Sequence, residues 1–138
     1  MKDNLQLATK YLYESIQGRY VTATHLDSFL ETLPSVFKIS TVGFSVKQQP
    51  IKAIQFGEGN VKILIWSQMH GNESTTTKGL IDYLNFLHHN ENEFETISKL
   101  VTFYIIPILN PDGAAAYTRE NANGVDLNRD AFECTQPE

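Results

Sequence analysis

The chain has 138 residues, 41% of them hydrophobic, and its sixteen Asp and Glu residues outnumber its eleven Lys and Arg residues to give a net charge of -5. This length and composition predict one compact soluble domain, or part of one. The acidic balance argues against nucleic acid as a partner, because phosphate binding needs a basic patch.

The cysteine content and the hydropathy bear on where the protein works. Cys134 is the only cysteine, so no intrachain disulfide can form. The opening segment MKDNLQLATKYLYESI is too polar for a secretory signal, and no segment approaches the ~18 consecutive apolar residues that a membrane-spanning helix needs. We therefore expect a cytoplasmic protein without membrane contacts.

Two amphipathic helices are predicted at the start of the chain. Apolar residues recur there at helical spacing in two groups: Leu5, Ala8, Leu12 and Ile16, followed by Leu26, Phe29, Leu30 and Leu33. Thr24 is the predicted N-cap of the second helix, and Pro34 is predicted to end it.

Strands are predicted to follow the two helices. Alternating apolar residues between Phe37 and Phe56 indicate two antiparallel strands joined through the polar KQQ turn. After a turn at residues 57–60, the run from Val61 to Trp66 is apolar on both faces, as is typical of a central strand covered by helices on each side. We therefore expect Trp66 to lie in the core.

A parallel crossover unit is predicted next. Residues 73–89 carry leucine and isoleucine at helical spacing, and a second buried strand follows from Leu100 to Leu109, with Tyr104 in the core. A strand, a helix and a strand in this order predict two parallel strands. After Asn110 the chain lacks periodicity, so we predict a loop with at most one short helical turn.

Polar residues appear directly after the strand at Val61–Trp66, in the stretch SQMHGNES. His70 and Glu73 lie where ligands bind in open α/β sheets, at the carboxyl end of a strand. Gly71 lets the backbone turn, so that an imidazole and a carboxylate converge on one cation, and this ligand pair suits Zn²⁺. Taken alone, the pattern is equally well explained by a glutamate that complements the dipole of the next helix.

Two further motifs follow the second strand: NPDG at residues 110–113 and GVDLNRD at residues 124–130. Together with HGNE, and with an arginine between the last two motifs, they resemble the zinc carboxypeptidase family over residues 61–130. The resemblance implies a three-layer α/β/α fold with a mixed, centrally parallel sheet. Residues 1–138 would then be the amino-terminal part of a single catalytic domain.

The resemblance also implies roles for individual residues. His70 and Glu73 would be zinc ligands. Arg119 would be catalytic and substrate-binding, because it stabilises the oxyanion formed when water attacks the scissile carbonyl. Asn128 and Arg129 would bind the terminal carboxylate of the substrate, a task that suits a planar guanidinium.

The residues themselves leave alternatives open. Arg119 is aligned by order rather than by a fixed spacing, so a solvated surface arginine is the competing interpretation. Arg129 has Asp126 and Asp130 close in sequence as possible ion-pair partners. Asp126 either orients a metal-bound histidine or only holds the loop.

The implied active site is incomplete in this sequence. The third zinc ligand of the family is a histidine further downstream, followed by a glutamate base, whereas no histidine follows Arg129 here. We therefore expect a zinc metallocarboxypeptidase whose complete form hydrolyses a C-terminal peptide or related amide bond, while this chain alone is inactive. The expected substrate is a peptide or an acylated amino acid with a free carboxylate.

Two other functions remain open. The first is a deacylase resembling the succinylglutamate desuccinylase and aspartoacylase group, which also uses a histidine and a glutamate followed by a DLNR-like segment, although NPDG argues against it. The second is a catalytically silent module that binds a carboxylate or a peptide.

Overall fold

The computed structural model describes residues 9–138. From residue 23 onward its helices and strands are, in chain order, α1 (Ala23–Leu30), β1 (Lys38–Phe44), β2 (Pro50–Phe56), β3 (Val61–Trp66), α2 (Thr75–His88), α3 (Glu91–Leu100), β4 (Val101–Ile106), α4 (Pro111–Ala116) and α5 (Leu127–Asp130). Within the described residues no helix is both long enough and apolar enough to cross a membrane.

The four strands form one mixed sheet in the order β1-β2-β4-β3. Strand β2 pairs antiparallel with both β1 and β4, whereas β3 and β4 run parallel, with Val61 opposite Val101 and Trp66 opposite Ile106. The antiparallel pair before residue 57 and the parallel crossover through α2 are therefore both confirmed.

One face of the sheet carries the hydrophobic core. Because side chains alternate along a strand, Ile54 and Phe56 of β2 and Phe103 and Ile105 of β4 all point to this face, and all four are buried. The helices add buried side chains to the same cluster, namely Leu26, Phe29 and Leu30 of α1 and Leu80, Ile81, Leu84 and Leu87 of α2. The α/β class with a mixed sheet is confirmed, and these helices share a single core on one face of the sheet.

Strand β3 does not lie where the sequence predicts it. It forms an edge of the sheet rather than its centre, and Leu64 and Trp66 are 59% and 49% exposed. Tyr104, which pairs with Leu64 and was predicted to be buried, is 38% exposed. An apolar run indicates a strand that suits coverage on both faces, but it carries no information on strand order or on which residues cover it.

The first predicted helix agrees with the structure only in part, because residues 9–10 are helical and the chain from residue 11 to residue 22 is not. Leu5 and Ala8 lie outside the described residues, while Leu12 and Ile16 lie in irregular chain. Helix α1 has Thr22 as its N-cap instead of Thr24, and the Thr22 amide donates to Nδ1 of His25 at 3.2 Å. The N-cap at Thr22 is favoured because the His25 ring accepts a hydrogen bond from the Thr22 amide, which the start of a helix would otherwise leave without a partner.

Helix α3 was not predicted, because none of its residues is fully buried and its apolar pattern is sparse. The segment after Asn110 was predicted as loop with at most one helical turn, and it contains two short helices, α4 and α5. The side chains of Asn110 and Asp126 cap them by accepting from the amides of Gly113 at 2.8 Å and of Asn128 at 3.0 Å. Pro111 at the first helical position marks the start of α4, so an Asn-Pro signal for a helix was present in the sequence.

Candidate active site

The candidate site is built where β3 and β4 end. The Ser67 amide donates to the Ile106 carbonyl at 3.0 Å, and the Leu109 amide donates back to the Ser67 carbonyl at 3.0 Å. The parallel pairing therefore continues for a short distance beyond the two strands. This continuation brings the HGNE turn, which follows β3, next to the NPDG segment, which follows β4.

Close backbone packing holds these two motifs together. A Cβ atom at Gly71 would lie 1.9 Å from the backbone carbon of Gly113, so only glycine allows this approach. The Asn110 side chain donates from Nδ2 to the Met69 carbonyl at 3.2 Å, and the Asn72 amide donates to the Thr118 carbonyl at 3.0 Å. The NPDG segment therefore supports the turn that carries His70 and Glu73.

His70 is held between two carboxylates. Its Nε2 lies 3.0 Å from Oδ1 of Asp126, and its Nδ1 lies 3.3 Å from Oε2 of Glu73. Only 12% of the His70 side chain is exposed, against 60% of the Glu73 side chain. The ring is therefore largely buried and oriented, while the glutamate faces solvent beside it.

Arg119 completes the cluster. Its Nε donates to Oδ2 of Asp126 at 3.0 Å, and its Nη1 donates to Oε1 of Glu73 at 3.3 Å. The predicted metal ligands and the predicted catalytic arginine therefore lie in one connected group. Arg119 is 39% exposed, so these contacts make it a partly exposed arginine held in two ion pairs.

Asp126 is ionised in this cluster. Burial raises the pKa of its carboxyl, but hydrogen bonds from His70, from Arg119 and from the Asn128 amide, together with the Arg119 charge, outweigh burial and lower that pKa to about 2. An ionised carboxylate only accepts hydrogen bonds, so His70 Nε2 must donate to it. In a neutral His70, the lone pair then lies on Nδ1 and points toward Glu73.

This donor set fits a zinc ion. Zinc bonds of about 2.0–2.1 Å separate neighbouring ligands of a tetrahedron by about 3.3–3.4 Å, and Nδ1 of His70 lies 3.3 Å from Oε2 of Glu73. A lone pair and a carboxylate facing each other at this distance are stabilised by a cation between them. Within residues 9–138, no group of three or more His, Cys, Asp or Glu side chains is arranged to hold a metal, so the described residues do not form a three-ligand site by themselves.

The predicted carboxylate-binding residues lie on α5, next to this cluster in sequence. The amide of Asn128 donates to Oδ1 of Asp126, and both Asn128 and Arg129 are exposed. Asp126 pairs with His70 and Arg119, while Asp130 accepts from Thr135. Among the described residues no ion pair or side-chain hydrogen bond involves the Arg129 guanidinium, so neither nearby aspartate neutralises it.

An open cleft of about 820 Å³ lies beside the HGNE turn. His70 and Glu73 line it together with Trp66, Arg19 and Tyr117. Tyr117 is also in ring contact with Tyr20, with the ring centroids 4.5 Å apart. A substrate in this cleft would have direct access to the His70 and Glu73 side chains.

A mixed α/β sheet in which a histidine, a glutamate and an arginine converge at the ends of parallel strands has these side chains at the place where open α/β sheets bind ligands. The family model described as zinc carboxypeptidase matches residues 22–135. The chain belongs to the zinc carboxypeptidase family, and the family predicted from HGNE, NPDG and GVDLNR is confirmed.

Individual relatives agree with this assignment. Over 82% of its own length, this chain is 30% identical to carboxypeptidase E of Caenorhabditis elegans. Over 70% of its own length, it is 32% identical to the catalytic chain of carboxypeptidase N of Rattus norvegicus. A metallo-carboxypeptidase structure from Burkholderia cenocepacia matches the fold with a TM-score of 0.71 at 23% identity, over 85% of this chain. The matched regions are 30%, 26% and 35% of these three proteins, so the chain spans about a third of their length or less.

Proposed function

We propose that the complete protein is a zinc-dependent metallocarboxypeptidase that hydrolyses a C-terminal peptide or related amide bond. The observation that carries this proposal is the contact of Glu73 with both His70 and Arg119, at 3.3 Å each, on motifs of the zinc carboxypeptidase family. The pair His70 and Glu73 would hold the zinc ion, which when bound would supply a Lewis acid that polarises the scissile carbonyl.

Arg119 lies beside this pair and would stabilise the negative charge that develops on the carbonyl oxygen. Its Nε and Nη1 are already fixed by Asp126 and Glu73, so its remaining N–H groups have a defined direction. A donor that is oriented before the reaction needs no reorganisation as charge develops, and this is the source of its catalytic effect.

Arg129, with Asn128, would bind the terminal carboxylate of the substrate. Its guanidinium is exposed and is not neutralised by Asp126 or Asp130. A guanidinium presents two parallel donors to a carboxylate, which an ammonium cannot do. This contact would restrict cleavage to the end of a peptide or to an acylated amino acid with a free carboxylate.

The 138-residue chain by itself would be inactive. A catalytic zinc site uses three protein ligands and one open position, and residues 9–138 offer two ligands. We propose that the third ligand and the general base are supplied from outside residues 9–138, since the chain spans only 30% and 26% of two relatives that it matches. The cytoplasmic location predicted from the sequence also stays a prediction.

The proposal is tested by substrate choice in a full-length protein. We expect hydrolysis of a dipeptide with a blocked amino terminus and a free carboxylate, loss of activity after chelation of the metal, and loss in His70→Ala. His89→Ala, a histidine at the end of α2, is the matched control and should keep activity. Preferential hydrolysis of N-acyl amino acids would indicate the deacylase instead, and carboxylate binding without hydrolysis would indicate a silent binding module.

A further inference from the structure

Gln68 has an unusual backbone conformation two residues before His70. Its φ is +49°, in the left-handed region that residues with a Cβ rarely adopt, and its side chain is only 4% exposed. Gln48, Tyr117 and Cys134 also have a positive φ, but none of them is buried. Gln68 is therefore the buried member of this group, and its backbone conformation is fixed by the residues packed around it.

The Gln68 amide uses its polar groups in specific contacts. Its Nε2 donates to the carbonyl of Gly71 at 2.8 Å and to the carbonyl of Val21 at 2.8 Å, and its Oε1 accepts from the Thr77 hydroxyl at 2.9 Å. Gly71 lies between His70 and Glu73, Val21 precedes α1, and Thr77 is in the first turn of α2. One side chain thus joins the HGNE turn to both helices that flank it.

Thr77 connects this amide to the end of the sheet. Its Oγ1 lies 3.0 Å from the Pro107 carbonyl oxygen and 2.9 Å from Ser67 Oγ, and its side chain is fully buried. Pro107 follows β4 and Ser67 follows β3. Gln68 and Thr77 therefore connect the Gly71 carbonyl to the ends of both parallel strands.

We infer that Gln68 is a positioning residue that sets the HGNE turn for metal binding. This inference rests on the proposed role of His70 and Glu73 as zinc ligands. A strained backbone persists only where contacts around it outweigh its cost, and here those contacts run to the peptide between the two ligands. The left-handed turn at Gln68 directs the chain away from β3, and its side chain returns to hold the peptide three residues later.

The test measures zinc affinity and stability separately in the 138-residue chain. Zn²⁺ alone is titrated and followed by NMR chemical shifts of the His70 region, while urea unfolding gives stability. Gln68→Met keeps the length but removes the hydrogen bonds, and it should lower zinc affinity about tenfold or more, in the range found when partners of metal ligands are removed. Gln68→Gly removes the side chain and also relieves the strained φ, so it should be more stable than Gln68→Met yet bind zinc as weakly.

Gln48 supplies the matched control, because it is also a glutamine with a positive φ, but it lies exposed in the turn between β1 and β2. Gln48→Met and Gln48→Gly should leave zinc affinity unchanged. The positioning role would be wrong if both Gln68 variants bound zinc with native affinity. It would also be wrong if Gln68→Gly were more stable than Gln68→Met and bound zinc correspondingly more tightly. Either result would leave the zinc site itself in place. His70→Ala is measured beside them, and zinc binding that persists in this variant would overturn the proposed metal site and the positioning role together.

Discussion

Asp126 accepts from Nε2 of His70 at 3.0 Å through one carboxylate oxygen. The second oxygen of the same carboxylate accepts from Nε of Arg119 at 3.0 Å. A single side chain therefore orients both the imidazole that faces Glu73 and the guanidinium that contacts Glu73. The sequence left two roles open for Asp126, and these contacts favour orientation of the histidine over a purely local role in the loop.

The first prediction concerns Asp126→Ala. Without the carboxylate, His70 loses the partner that fixes its tautomer, and Arg119 loses one of its two carboxylates. Removing such a partner of a metal ligand typically costs about 10–100-fold in metal affinity, and we expect a loss of this size in a zinc titration of the chain. Asp130→Ala is the matched control, because Asp130 contacts Thr135 and Gln136 rather than the site. Equal losses in the two variants would contradict the orienting role.

The second prediction concerns two glycines. In Gly71→Ala the new methyl group would meet the backbone of Gly113 and Ala114 at 1.9 and 2.3 Å, so the HGNE turn must move. We expect a destabilisation of about 1–3 kcal/mol in urea unfolding, as for other overpacked sites, together with weaker zinc binding.

Gly79→Ala provides the comparison for this prediction. Gly79 lies inside α2 with open space around the position of a new Cβ. Alanine is favoured over glycine in a helix by about 0.5–1 kcal/mol, so this variant should be neutral or slightly more stable. If Gly71→Ala behaved like Gly79→Ala, the close approach of HGNE and NPDG would not limit the residue type at position 71.

The sequence predicted the parts of this fold that depend on local pattern. The antiparallel pair, the parallel crossover and the α/β class follow from alternation, helical spacing and the order of elements. It failed for strand order, because the exposed side chains of Leu64 and Trp66 have the same apolar character as core residues. Helix α3 was missed for the opposite reason, since a helix without fully buried residues leaves only a faint apolar pattern.

The candidate site shows a similar division. Motif order predicted His70, Glu73 and Arg119, and the structure brings their side chains together, although their chemical roles stay predictions. Gln68 gave no signal, because a buried amide looks like any polar loop residue until its backbone angle and its three partners are known. Contacts between residues distant in sequence, such as that of His70 with Asp126, depend on tertiary structure and cannot be predicted from a fixed sequence spacing.

The third prediction concerns acid stability near the end of the described chain. Asp130 accepts from the Thr135 hydroxyl and from the amides of Gln136 and Thr135, and these hydrogen bonds outweigh burial and hold its pKa below the usual 3.8. A folded-state pKa below the unfolded one contributes stability that is complete above pH 3.8 and is lost as the pH falls through the folded value. Asp130→Asn should flatten the decline of the unfolding free energy below that pH.

Urea unfolding of both proteins over a series of acidic pH values checks this sign. Thr135→Val, which removes the first of the three donors, should weaken the dependence in part. An unchanged slope below pH 3.8 in Asp130→Asn would show that other carboxylates account for the acid sensitivity.

The last prediction concerns substrate recognition in a full-length protein. Arg129 is exposed, and among the described residues its guanidinium has no carboxylate partner, so it is available to a substrate carboxylate. A charge-assisted contact of this kind contributes roughly 1.5–3 kcal/mol. Arg129→Ala should therefore raise KM about tenfold or more for a peptide with a free terminal carboxylate, and much less for the same peptide with an amidated terminus.

Arg129→Lys separates charge from geometry in this experiment. Lysine keeps the positive charge but loses the two parallel donors, so its KM for the free carboxylate should fall between those of the native protein and Arg129→Ala. The amidated peptide is the internal control, because a general disturbance of the fold or of the zinc site would affect both substrates alike. Equal increases in KM for the free and the amidated peptide would therefore exclude Arg129 from carboxylate binding. Helix α5 would then only hold Asp126, its N-cap residue, in position.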